Sequence, residues 1–212
     1  MTMLLGRGRH PFVKICGVRT RGDVDACARC GFDAVGFVFA EGSPRRLEFP
    51  EAMALYGALP ESLEPIGLFV DPEMEMVEAW PGQWIQLHGR ETPERVQSIA
   101  METGHRIIKA IPFDPETCRF WDEHPDVAAL LVDGPEAGSG RAFDHGLLAE
   151  TIAELRTPVI VAGGLGPNSV ADVVRSAQPF GVDVSSGVES TRGVKDASLI
   201  EAFAGAARSA AS

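Results

Sequence analysis

The chain has 212 residues, 45% of them hydrophobic and 23% charged. That is enough for one well-buried core, and an α/β barrel of this length ordinarily forms a single domain. Its 30 acidic against 19 basic side chains leave a formal charge of -11, which excludes non-specific nucleic-acid binding or attachment to an anionic membrane, because either needs a basic face. It has no apolar run of about 18 residues and no signal-type apolar stretch in residues 1–10, so a cytoplasmic protein without membrane association is expected.

Short β-rich apolar runs alternate with helical patterns from end to end. The first strand is Phe12–Cys16, left through Gly17, and a helix near Asp23–Cys30 follows with Val24, Cys27 and Ala28 on its buried stripe. The alternation continues with a strand at Ala34–Phe39 and a helix at Pro50–Leu59, then Ile66–Val70 with Pro72–Trp80. Trp84–Leu87 precedes a helix at Thr92–Thr103, opened by an N-cap threonine, an N1 proline and a first-turn acid. Next come Arg106–Ala110 with Pro115–Asp122, Val127–Val132 with Asp144–Leu155, and Pro158–Ala162 with Pro167–Ala177. Gly181–Ser185 and a closing helix at Asp196–Ala207 complete the series.

Eight such units, with strands apolar on both faces, predict a parallel sheet covered by helices, and in this length a closed (β/α)8 TIM barrel, α/β in class. A dinucleotide-binding sheet is disfavoured because no G-x-G-x-x-G follows the first strand. Residues 1–11 are expected to form a mobile N-terminal extension and residues 12–212 the catalytic barrel domain. Of the four cysteines, Cys27 and Cys30 have half of a zinc-site spacing, but no second Cys/His pair completes it; core packing of one helix is expected, with no metal.

Barrel enzymes place their chemistry at the C-terminal ends of the strands. Those ends carry Cys16, His88, Asp133, the pair Gly163-Gly164, and the triplet Ser185-Ser186-Gly187. Lys14 lies two residues before Cys16 and shares its face of the strand. A cation there would favour the thiolate, the form in which cysteine acts as a base or nucleophile. Asp133, at the edge of the apolar run Ala128–Val132, is expected to be partly desolvated and thereby able to deliver a proton near neutrality, the alternative being a turn aspartate before Gly134-Pro135. Glycine- and serine-rich loops after the last two strands suit a phosphate cradle. A base, an acid and a phosphate anchor suggest proton transfer on a sugar phosphate, with no cofactor motif in competition.

The blocks Val13-Lys14-Ile15-Cys16-Gly17, Asp33 to Phe39, Ser43-Pro44-Arg45, Gly67-Leu68-Phe69-Val70, Gln86-Leu87-His88-Gly89, Gly138-Ser139-Gly140 with Phe143-Asp144, Ala162-Gly163-Gly164-Leu165, and Val182 to Glu189 resemble, in order, those of the phosphoribosylanthranilate isomerase family of tryptophan biosynthesis. The resemblance implies an Amadori rearrangement of N-(5'-phosphoribosyl)anthranilate to 1-(2-carboxyphenylamino)-1-deoxyribulose 5-phosphate, without metal or organic cofactor. It assigns Asp133 as general acid, Cys16 as general base and Arg45 as the clamp for the anthranilate carboxylate, for which a planar guanidinium is suited. Gly163, Gly164, Ser185, Ser186 and Gly187 would bind phosphate, with Lys14, His88, Arg141 and Asp183 in support. The partner is a small-molecule sugar phosphate, with no nucleic acid, and the protein a monomer or homodimer. In the loop after Asp133, Ala137 stands where the family has glycine and Ala142 where it has a hydroxyl, while Arg141 keeps the charge. Two alternatives are another sugar-phosphate isomerase on the same barrel and a diverged, non-catalytic phosphate-binding paralogue.

Overall fold

Each of the eight apolar runs becomes a strand, and in this computed structural model, which describes residues 11–134 and 144–210, the strands close into one parallel barrel in chain order. They are β1 (Phe12–Cys16), β2 (Ala34–Val38), β3 (Glu64–Phe69), β4 (Trp84–Leu87), β5 (Arg106–Pro112), β6 (Val127–Asp133), β7 (Val159–Ala162) and β8 (Gly181–Val184). Closure joins β1 to β8 with Phe12 opposite Gly181 and Lys14 opposite Asp183. The helices between and after them are α1 (Arg21–Arg29), α2 (Phe49–Tyr56), α3 (Met74–Glu78), α4 (Pro93–Thr103), α5 (Pro115–Asp122), α6 (His145–Glu154), α7 (Val170–Ala177) and α8 (Ala197–Ser209).

Several helix starts are set by short polar side chains that accept from the first free N–H groups. Thr92 accepts from Arg95 N, Asp114 from Thr117 N, Asp144 from Leu147 N, and Asp196 from both Ser198 N and Leu199 N. Three helices are shorter than their hydrophobic pattern suggests, α2 ending at Tyr56 rather than Leu59. α3 lacks the turn expected from Pro72, and α7 starts at Val170 rather than Pro167 because Gly166–Ser169 form a closed turn in which Ser169 Oγ accepts from Gly166 N. All four cysteines are free, with Cys27 buried on α1 as expected.

The strand period of two separates a core outside the sheet from one inside it. Val13, Ile15, Val35, Phe37, Ile85 and Val161 pack against the helices, while Phe12, Ala34, Ile66, Trp84, Ile108, Leu131 and Ile160 fill the barrel. Above that floor stand Cys16, Val38 and Leu68. Some inward positions are polar: Lys14, Gln86 and Asp183 are buried.

After β8 the chain does not pass straight into a helix. A 3-10 turn (Ser186–Val188) leads to a small antiparallel hairpin, β9 (Glu189–Thr191) with β10 (Val194–Lys195), reversed at Gly193 with φ +84°. Strands of three and two residues are too short to show a period of two in sequence.

The expected extension lies outside the described residues except for Pro11, which is buried and whose carbonyl accepts from Arg208 on α8. Arg208 also donates to Gly31 O and, at 2.6 Å, to Asp33 Oδ2, which in turn accepts from Val13 N. This tie closes the end of the barrel remote from the strand C-termini. Asp33→Ala should lower unfolding free energy by about 1–3 kcal/mol, the cost of orphaning buried partners, and leave the kinetic constants in place. Urea denaturation beside steady-state assay checks this; a kinetic defect without a stability loss would count against a purely structural tie.

The described residues contain no helix long and apolar enough to cross a membrane.

Candidate active site

The strands deliver their polar ends to one cavity of about 460 Å³, a size that suits a small-molecule ligand. Cys16 comes from β1, Gln86 from β4 with His88 just beyond it, Asp133 from the end of β6, and Asp183 from β8 with Ser185 just beyond. Gly163, Gly164 and Ser186 line the same cavity, as does Arg45 from the loop after β2. Gly187 follows Ser186; its Cα lies so close to Leu165 O and Gly166 that a Cβ would collide with both, so a glycine here lets the loops after β7 and β8 pack together. Arg141 and the substituted Ala137–Ala142 loop lie outside the described residues.

The thiol differs from its sequence-based expectation. Burial pushes the Cys16 thiol above its ordinary pKa; Lys14 pulls it down, Asp183 pushes back, and Lys195 and Arg45 pull more weakly. The Lys14 charge is already committed, because its buried Nζ lies 3.0 Å from Asp183 Oδ1. Burial opposes that charge too, but Asp183 and Cys16 raise the lysine pKa above its ordinary value. The free site therefore holds a neutral thiol beside a neutralised cation, and thiolate formation requires added positive charge or higher pH. Gly36 on the neighbouring strand leaves room for the sulfur, since a Cβ there would sit 3.2 Å from it.

Asp133 is partly buried, with its side chain 39% exposed at the cavity mouth. The reason is that β6 ends at this residue, so the apolar wall lies below the carboxylate rather than around it. Gly163, with φ +88°, lets the loop after β7 come against it; a Cβ there would lie 2.6 Å from Asp133 Oδ1. His88 Nε2 is 3.6 Å from Asp133 Oδ2, and Gln86 Nε2 lies 3.0 Å from His88 Nδ1. With the amide donating, His88 Nδ1 accepts, and Nε2 is the ring atom that faces the carboxylate. His88 thus has a specific neighbour in the site.

Sequence reasoning missed the hairpin's contribution. Lys195 Nζ donates to Ser185 O at 2.9 Å and lies 3.0 Å from Glu189 Oε1, while Ser185 Oγ donates to Cys16 O at 3.1 Å. Glu189 in turn binds Arg45 through both carboxylate oxygens. Arg45 and Glu189 are 144 residues apart, and nothing local in either segment signals the contact. The arrangement can hold a dianionic phosphate by backbone N–H groups and serine hydroxyls, bind a carboxylate by a guanidinium, and move protons at two separated groups.

A family model described as N-(5'phosphoribosyl)anthranilate (PRA) isomerase matches residues 13–206. The chain is similar to N-(5'-phosphoribosyl)anthranilate isomerase of Halorhodospira halophila, with 40% identity over 203 residues that cover 90% of this chain and 93% of the relative. Its fold is similar to that of phosphoribosyl anthranilate isomerase from Thermotoga maritima, with TM-score 0.84, 32% identity, and coverage of 93% and 98%. A phosphoribosyl anthranilate isomerase in complex with reduced 1-(o-carboxyphenylamino)-1-deoxyribulose 5-phosphate is similar at TM-score 0.81 and 31% identity, with coverage of 93% and 98%.

Proposed function

The chain belongs to the N-(5'-phosphoribosyl)anthranilate isomerase family, and we propose that it carries out that isomerisation with Asp133 as the acid and Cys16 as the base. The reaction converts N-(5'-phosphoribosyl)anthranilate to 1-(2-carboxyphenylamino)-1-deoxyribulose 5-phosphate. Asp133 protonates the furanose ring oxygen, the C1'–O bond opens, and the nitrogen lone pair forms an iminium at C1'. Cys16, as thiolate, removes the C2' proton, and the electrons of that C–H bond move toward the iminium to give an enolamine. Tautomerisation to the ketone completes the rearrangement. The iminium supplies the electron sink, so no step needs an external one.

The observation that carries this reading is that Cys16 and Asp133 open onto one cavity shared with Gly163, Gly164, Ser185, Ser186 and Arg45. The glycine and serine loops are assigned to the 5'-phosphate and Arg45 to the anthranilate carboxylate. Asp183, held by Lys14 and lining the cavity, is assigned to accept from a ribose hydroxyl. The thiol gives up its own proton to water before it accepts one from C2'; the iminium is a cation generated beside it, and that positive charge favours the thiolate. Family membership leaves the paralogue and the other sugar-phosphate isomerases without support.

The decisive assay is the loss of anthranilate-type fluorescence when freshly generated phosphoribosylanthranilate meets the purified protein. Decay proportional to enzyme concentration is expected; persistence of the signal at micromolar protein would defeat the assignment.

A further inference from the structure

Arg45 does not reach into the cavity as an unattached cation. Its Nε donates to Glu189 Oε1 at 2.6 Å and its Nη2 to Glu189 Oε2 at 2.8 Å, so one edge of the guanidinium is closed by a carboxylate. Glu189 is held independently of Arg45. Gly193 N donates to Oε2 at 2.9 Å and Lys195 Nζ lies 3.0 Å from Oε1, with the Glu189 and Lys195 side chains 4% and 1% exposed. Burial works against ionisation of Glu189, yet Arg45, Gly193 and Lys195 together hold its carboxyl at about 2. The arginine stem is confined as well. A Cβ on Gly17 would come within 2.6 Å of Arg45 Cδ, and one on Gly193 within 2.8 Å of Pro44 O, so the exit of β1 and the hairpin grip the Ser43–Arg45 loop from two sides.

Because Glu189 is fixed by partners of its own, it orients the arginine rather than the reverse. We propose that Glu189 is a positioning residue for substrate recognition: it occupies the Nε edge of Arg45, and the remaining Nη1–Nη2 edge is the preorganised seat for a planar carboxylate. Lys195 belongs to the same device. Two cations against one anion leave the cluster with one net positive charge, so the seat stays attractive to an anion although a carboxylate lies within it. The arginine's rotamer freedom is lost on folding instead of on binding, the condition under which a bidentate contact contributes most. The inference rests on the assignment of Arg45 to the anthranilate carboxylate.

Two non-reacting ligands separate these ideas: the reduced product analogue bearing the 2-carboxyphenyl group, and its counterpart bearing plain phenyl. Each is titrated calorimetrically against the parent, Glu189→Gln and Arg45→Gln proteins. Glu189→Gln is expected to weaken the carboxylated ligand about tenfold and leave the phenyl ligand unchanged, with KM for substrate rising more than kcat falls. Equal loss for both ligands, or none for either, overturns the positioning role. If Arg45→Gln weakens both ligands equally, the carboxylate assignment itself fails and the inference with it. If Arg45→Gln is selective and Glu189→Gln is not, only the positioning role fails. Should the glutamine protein not fold, Glu189→Asp, too short to meet both Nε and Nη2 in place, is expected to show the same selective loss.

Discussion

Cys16→Ala is expected to lower kcat by about 10²–10⁴-fold, the usual contribution of a positioned base, while the protein stays folded. The sulfur sits in the upper layer of the barrel with Val38 and Leu68, above the floor that packs the interior. Its removal costs about 1 kcal/mol of stability or less. The fluorescence assay and urea unfolding, run on the same preparation, check the two halves of the expectation. Turnover within tenfold of the parent would remove Cys16 from the mechanism. The protonation state makes a second, independent prediction. Burial holds the free thiol above its ordinary pKa, so the thiolate fraction at neutral pH is small and grows as pH rises toward the shifted value. Alkylation of Cys16 by iodoacetamide, followed by peptide mass spectrometry, should be slow at pH 7 and accelerate with pH. A fast reaction at neutrality would show that Lys14 dominates after all.

Asp133→Asn is expected to produce a loss of the same order, about 10²–10⁴-fold in kcat, because an amide cannot deliver the proton that opens the furanose ring. Its fold should be intact: the side chain is 39% exposed, and the His88 imidazole lies beyond hydrogen-bonding distance at 3.6 Å. Activity loss alone does not separate the acid from the base, but an isotope does. With substrate deuterated at C2', the Cys16→Ser protein should show a primary isotope effect, since C–H cleavage then limits the rate. Asp133→Asn should show little, since ring opening then limits. A large C2' isotope effect in the asparagine protein would transfer its role from ring opening to proton abstraction. The two losses should not add in the double variant, because both residues serve one reaction coordinate.

Most of the fold was legible from local pattern. Runs of four to seven residues apolar on both faces, such as Ile85 with its neighbours or Val159–Ala162, can be buried only as central strands of a covered sheet, and regular helices between them require parallel pairing. From that, the end-of-strand rule by itself put Cys16, His88, Asp133, Gly163-Gly164 and Ser185-Ser186 at one mouth, where the structure brings them together.

What sequence determined was therefore whatever depends on residues a few positions apart: strand and helix identity, the cap at Thr92, and which side chains stand at the strand ends. What only tertiary structure decided was the electrostatic state of those side chains. Lys14 stands two residues from Cys16, but its charge is spent on Asp183, 169 residues away, because barrel closure sets β1 against β8. Arg45 meets Glu189 across 144 residues through a hairpin too short to leave a periodic trace. Alternation and capping are short-range and can be read along the chain; the field at a buried atom sums over every charge that folding brings near it and the water that folding removes.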